Sequence, residues 1–174
     1  MVLQGRRIAI FIADYYEDLE FWYPYFRMKE EGAEIEIIGP KIDRFTGKHG
    51  MSARSEKSID DVRPDQFHAL IIPGGYSPDH MRRSPRMVEF VKSMNKQGKL
   101  IAAICHAGWM LASADIIRGR KITSFHSIKD DMVNAGAEWL DQEVVVDGNV
   151  VTSRNPHDLP AFCRKIIEIL APTG

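Results

Sequence analysis

The 174-residue sequence has only two cysteines, Cys105 and Cys163, too few for the disulfide framework that small secreted domains use in place of a large core. Net charge is also nearly missing. A formal value of −1 gives no field to gather nucleic acid or anionic lipid, and the short basic run His80-Met81-Arg82-Arg83 reads as a solvated loop. Long hydrophobic runs are absent: the N-terminal stretch is apolar only from Ile8 to Ala13, too short for a signal sequence and far short of a bilayer span. These absences predict a cytoplasmic protein with no membrane and no nucleic-acid partner. The six histidines have no HExxH or CxxC companion, so no metal site is expected. No GxGxxG follows the first apolar run, which speaks against a dinucleotide, and no other cofactor is expected.

What is present is an ordinary globular composition, 44% hydrophobic and 27% charged, without a break in character along the chain. It predicts a single domain over residues 1–174, long enough to bury about two-thirds of the surface its unfolded form exposes. Arg7 to Ala13 is a continuous β-branched and aromatic run, as for a strand covered on both faces. Asp18 to Glu31 follows with helical spacing at Leu19, Trp22, Tyr23, Phe26 and Met28, interrupted by Pro24, which argues for a kink or a late start. Glu34–Ile38, Ala69–Ile72, Leu100–Ile104 and Lys121–Phe125 read as further strands, and Pro85–Asn95, Gly108–Ala114, Lys129–Ala135 and Asp158–Leu170 as helices. A small hairpin or irregular excursion fits TGKHG and MSARSEKSI, and VVVDGNVV reads as a hairpin turning at Asp147-Gly148. Alternating strands and helices predict an α/β fold, a doubly wound, mostly parallel sheet with helices on both faces.

Sites in such sheets form beyond the carboxyl ends of the strands. Three predicted strand ends carry suspicious residues: Asp14 to Glu17 after the first, Gly74, Gly75 and Asp79 after the third, Cys105 and His106 after the fourth. The thiol of Cys105 sits at a strand-to-helix turn among small residues, Ala102, Ala103, Ala107 and Gly108, an arrangement like the nucleophile elbow of hydrolases. A helix N-terminus can lower a thiol from its usual 8.5 or so to roughly 3.5–7.5, and would activate it without a base. The bare N–H of Gly75, with that of His106, is placed to hold an oxyanion. Glu17 reads equally as a first-turn acid complementing the helix dipole and as a carboxyl approaching the thiol. The role of His106 as a base stays open, because adjacent side chains usually diverge. Asp79 reads as a turn residue or cap. Gly74, Tyr16, Trp109 and His126 are candidates to line a substrate pocket, and Cys163, on the apolar face of the last helix, reads as packing.

At AICHAG, with PGG upstream and ADYYEDLE after the first strand, the chain resembles the PfpI family of intracellular cysteine peptidases, in the superfamily of the parkinsonism-associated deglycase. PDQFHALIIPGG, GRKITS and IKDDMVNAGAEWLDQEVVVDGNVVTSR extend that resemblance over nearly the whole chain. It implies a flavodoxin-like domain similar to class I glutamine amidotransferases, with Cys105 as nucleophile, Glu17 as the buried carboxyl beside it, and Gly75 and His106 as oxyanion donors. It also implies a peptidase triad of Cys105, His106 and an acid from a neighbouring subunit. Asp79 stands at that position where the PfpI type has glutamate, shorter by one bond of about 1.5 Å. The usual CHGP is here Cys105-His106-Ala107-Gly108. The conventional reading is thus a cysteine peptidase or amidase acting on a peptide. The alternatives are a glyoxalase or deglycase acting on a small carbonyl compound, and a non-enzymatic stress protein using the same cysteine as an oxidation sensor or an apolar surface as a holdase. The resemblance and the aromatic residues Phe21, Trp22 and Tyr25 predict a homodimer, extending to a trimer of dimers.

Overall fold

Strands form where successive residues can be buried on opposite faces, and the computed structural model, which describes residues 1–172, shows this in register. In chain order the elements begin β1 (Arg7–Phe11), α1 (Asp18–Glu30), β2 (Glu34–Gly39), β3 (Arg44–Thr46), β4 (Ser52–Arg54), β5 (Lys57–Ser58), β6 (Ala69–Ile72), α2 (Ser77–Met81) and α3 (Pro85–Lys96). They continue β7 (Leu100–Ile104), α4 (Gly108–Ser113), β8 (Lys121–Ile122), α5 (Lys129–Asn134), β9 (Glu138–Trp139), β10 (Val145–Asp147), β11 (Val150–Ser153) and α6 (Leu159–Leu170). Seven strands make the central sheet in the order β10-β11-β7-β6-β1-β2-β5, parallel except for β10. This is the doubly wound, flavodoxin-like arrangement.

Alternation along the strands splits the interior in two. Ala9, Phe11, Leu70, Ile72, Ile101 and Ala103 face one cluster, closed by Phe90, Val91 and Met94 of α3 and Met110 and Leu111 of α4. Ile8, Ile10, Ala69, Ile71, Ala102 and Ile104 face the other, closed by Phe21 and Met28 of α1 and Phe162, Cys163 and Ile166 of α6. Cys163 is therefore a packing residue, buried with no hydrogen-bonding task.

Three sequence expectations are corrected. Lys121–Phe125 is not a strand of the central sheet: only Lys121 and Ile122 are extended, and they pair with β9 in a separate two-stranded sheet. The strand beside β7 is β11, the second arm of the Asp147-Gly148 hairpin. The buried stripe of α1 is Glu20, Phe21, Pro24 and Met28, whereas Leu19, Tyr23 and Phe26 are exposed. Pro24 sits within that helix without delaying its start at Asp18, and the backbone N–H it lacks would have bonded Glu20.

Candidate active site

β7, β6 and β1 are neighbours in the sheet, so the chain segments leaving their carboxyl ends lie side by side. The backbone knits them together. Tyr16 and Gly75 form an isolated antiparallel bridge, Glu17 N donates to Gly74 O at 3.2 Å, and Tyr76 N donates to Tyr15 O at 2.8 Å. Gly75 has φ +72°, and a Cβ there would fall 2.5 Å from Tyr15 O and from Glu17 N, so only glycine permits the approach.

Cys105 is the strained residue of the elbow, with φ 62° in the left-handed region that side chains rarely adopt. It opens a one-turn 3₁₀ segment, Cys105–Ala107, that runs into α4. This turn brings neighbouring side chains together instead of apart: His106 Nδ1 lies 3.2 Å from Cys105 Sγ. The other ring nitrogen, Nε2, lies 3.3 Å from Ser127 Oγ. With Nε2–H donating to Ser127, Nδ1 is left as an acceptor for the thiol proton. The ring is stacked on Phe125 and met edge-on by Trp109. Burial, with the nearby charge of Lys48, lowers its pKa, so His106 is neutral at neutral pH.

The carboxyl beside the sulfur is that of Glu20, not Glu17. Glu20 reaches up from the buried stripe of α1 to the cavity wall beside Cys105 and accepts the Gly74 N–H at 2.8 Å through Oε2. Its Oε1 is buried without a hydrogen-bond partner among the described residues. Burial pushes its pKa up to about 8, against the Gly74 hydrogen bond and in step with the negative charge of Glu17. Glu17 sits one helical turn earlier, where its side chain accepts from Leu19 N as the N-cap of α1 and pairs with Lys48 and His49 at 3.3 Å each.

The helix that follows Cys105 does not lower its pKa as the elbow suggested. Burial pushes the thiol up, and a charged Glu20 would push it further, while the nearby backbone N–H groups of Gly75 and His106 pull it down. α4 has only six residues, too little dipole to outweigh desolvation. Because Glu20 keeps its proton to about pH 8, it faces the sulfur as a neutral acid with a proton to give. Activation thus rests on hydrogen bonds and a neighbouring base.

A cavity of about 370 Å³ opens over the thiol, walled by Glu17, Glu20, Lys48, Gly75, Tyr76, Cys105, His106, Phe125, Ser127, Asn155 and Pro156. Several sequence candidates fall outside it. Tyr16 is fully buried, its hydroxyl donating to Met51 O at 2.6 Å, so it anchors the loop rather than the substrate. Gly74 positions Glu20: a Cβ there would meet Glu20 Oε2 at 2.5 Å. Trp109 donates to Asp131 at 2.8 Å and lines a neighbouring apolar groove with Tyr15, Tyr76, Asp79 and His80. His126 is exposed beside Phe125, off the cavity wall. Asp79 is paired with Arg83 at 2.5 Å and does not reach the His106 of its own chain, whose ring contacts are Cys105, Ser127, Phe125 and Trp109.

Comparison with known proteins places the chain in a family. Residues 6–169 match the model of the DJ-1/PfpI family. The chain is 46% identical over 164 residues to Deglycase PfpI of Pyrococcus furiosus, covering 94% of this chain and 99% of that one. It is 46% identical over 169 residues to Protein/nucleic acid deglycase 2 of Escherichia coli, covering 95% and 98%. Drosophila melanogaster DJ-1beta superposes with a TM-score of 0.91 at 28% identity over 98% of this chain and 92% of its own. A two-domain Anabaena variabilis protein with DJ-1/ThiJ/PfpI-like and ferritin-like domains gives 0.94 at 40% identity; the match covers 95% of this chain and 48% of that one. The chain belongs to the DJ-1/PfpI family.

Proposed function

We propose that the protein is a cysteine-dependent carbonyl enzyme, a glyoxalase or deglycase acting on methylglyoxal and its adducts. The observation that carries this is the buried Glu20 carboxyl, held by the Gly74 N–H on the cavity wall beside Cys105 inside one chain. No residue from another subunit is needed. Relatives named as deglycases support the reading.

The chemistry follows from the geometry. As the sulfur attacks the aldehyde carbon of methylglyoxal, His106 Nδ1 accepts the thiol proton, and the oxyanion forms on the N–H groups of Gly75 and His106. The Glu20 acid protonates that oxygen and becomes a carboxylate. It then removes the hydrogen on the same carbon, and the freed electron pair forms the enediolate. Returning this proton to the second carbon gives a lactoyl thioester, which water cleaves to lactate and the thiol. Overall one water is consumed, and the aldehyde carbon is oxidised to a carboxyl as the ketone carbon is reduced to an alcohol, so no external oxidant is needed. A carboxyl with pKa near 8 suits a group that must give and take a proton near neutrality. Lactate from methylglyoxal, made by the purified protein without added thiol or metal and absent in Cys105→Ser, is the expected result. Its absence from the unaltered protein, with Cys105 still alkylated by iodoacetamide, would sink the reading.

The Cys105–His106 contact at 3.2 Å favours a second reading, amide or peptide hydrolysis, in which Asp79 of a neighbouring subunit orients His106. Asp79→Ala separates the two: peptide hydrolysis falls and lactate formation does not. A homodimer, or a trimer of dimers, is the assembly inferred, with the exposed face of α1 against a second copy. Leu19, Trp22, Tyr23 and Phe26 form that face, and Trp22 stacks on Phe26 with centroids 5.6 Å apart. Among the described residues no helix is long and apolar enough to cross a membrane. A cytoplasmic location follows as part of this reading.

A further inference from the structure

We propose that Lys48 holds the second oxygen of a 1,2-dicarbonyl substrate and thereby selects dicarbonyls over simple aldehydes; this rests on the glyoxalase reading above. Lys48 comes from the loop between β3 and β4, far from the site in sequence, yet it lines the cavity over Cys105. It is the one lysine or arginine on that wall among the described residues, since His106 is neutral.

Most loop lysines wander in solvent; this one is held. Its backbone N–H donates to Tyr16 O at 2.8 Å. The loop around it is strapped to the segment before α1. Thr46 O accepts from Tyr15 N at 2.8 Å, Asp18 accepts from His49 N at 2.8 Å and Met51 N at 2.9 Å, and the Tyr16 hydroxyl bonds Met51 O. Gly47 packs so closely on Asp18 that a Cβ would fall 2.5 Å from its carboxylate. The ammonium is aimed from both sides, 3.3 Å from Glu17 Oε2 and 5.7 Å from the centre of the Tyr76 ring. Its charge acts on both Glu20 and His106, the two groups that handle protons at the sulfur.

The reaction creates a need for such a cation. Removing the hydrogen from the thiol-bearing carbon moves its bonding pair into a carbon–carbon double bond. The pair of the neighbouring carbonyl moves onto its oxygen as the proton passes to Glu20. The first oxygen already occupies the Gly75 and His106 N–H groups, so the second develops its charge without them. The Ser127 hydroxyl is engaged by His106, and the Asn155 amide on the same wall carries no charge to match the developing oxyanion. Lys48 supplies the missing donor, and a substrate without a second oxygen gains nothing from it.

The test compares Lys48→Met and Lys48→Arg with the unaltered protein. Removing one such donor lowers turnover by about 100-fold or more. Lys48→Met is therefore expected to lose lactate formation by about that factor while it stays folded, and Lys48→Arg to recover much of it. Methylglyoxal is expected to shield Cys105 from alkylation better than propanal does, and this preference to vanish in Lys48→Met. Equal lactate formation by Lys48→Met and the unaltered protein would overturn the role of Lys48 and leave the glyoxalase reading standing. No lactate from the unaltered protein would overturn that reading and the inference with it.

Discussion

Burying Glu20 against the sulfur of Cys105 sets a pH dependence on folding that one substitution isolates. The folded carboxyl holds its proton to about pH 8, against an ordinary value of 4.5. Between those limits the folded state binds more protons than the unfolded state, so this group's contribution to stability falls as pH rises, at about 1.4 kcal/mol per unit. Glu20→Gln removes that slope. Urea denaturation is expected to show the variant gaining on the unaltered protein by a few kcal/mol between pH 5 and pH 8; parallel curves would contradict it. Glu20 was legible in principle. It lies three residues after Glu17 and four before Pro24, on the stripe with Phe21 and Met28, and a carboxyl on an apolar stripe marks a task. The sequence hides that stripe because Leu19, Tyr23 and Phe26 offer a second apolar row, which faces outward. Cys105, Gly75 and His106 were readable from the strand-end rule alone, whereas Lys48 carried no sequence signal, because only the fold of its loop brings it over the thiol.

Among the elements, the turns decide more than the helices do. A Cβ on Gly75 would meet two backbone atoms at 2.5 Å, and φ there is +72°, so neither the contact nor the conformation can relax cheaply. Gly75→Ala is expected to lose more than about 1–2 kcal/mol of stability on backbone conformation alone, and most activity through the displaced N–H. Gly108→Ala is the matched control. Its Cβ would meet the Met132 sulfur at 2.7 Å, the flexible end of a side chain, and its φ of −52° is helical, so a smaller loss in thermal melting is expected. Equal losses at the two glycines would count against this account of the turn. Ala69–Ile72 and Leu100–Ile104 match their predicted limits because they are buried on both faces and end at Pro73 or at the elbow. Lys121–Phe125 misled because apolar residues near a sheet resemble a strand whether or not an edge is free to receive them; here β11 already covers β7.

For the whole molecule, doubly wound topology was written in the alternation of strands and helices, since buried parallel strands demand continuous apolar runs and crossover helices. The proposed assembly rests on a different signal, apolar surface that the single chain leaves open. Leu19, Tyr23 and Phe26 expose 57%, 40% and 60% of their surface. Light scattering is expected to give at least a dimer, and Phe26→Asp to shift it toward monomer; a monomer from the unaltered chain would contradict the assembly and remove any role for Asp79 across subunits. The central claim, that Glu20 and not Glu17 works with Cys105, is tested most directly by one lactate assay on methylglyoxal with the unaltered protein, Cys105→Ser, Glu20→Gln and Glu17→Gln. The account predicts no lactate from Cys105→Ser, a loss of about 100-fold or more from Glu20→Gln, and a far smaller loss from Glu17→Gln. Lactate surviving in Glu20→Gln but lost in Glu17→Gln would contradict it.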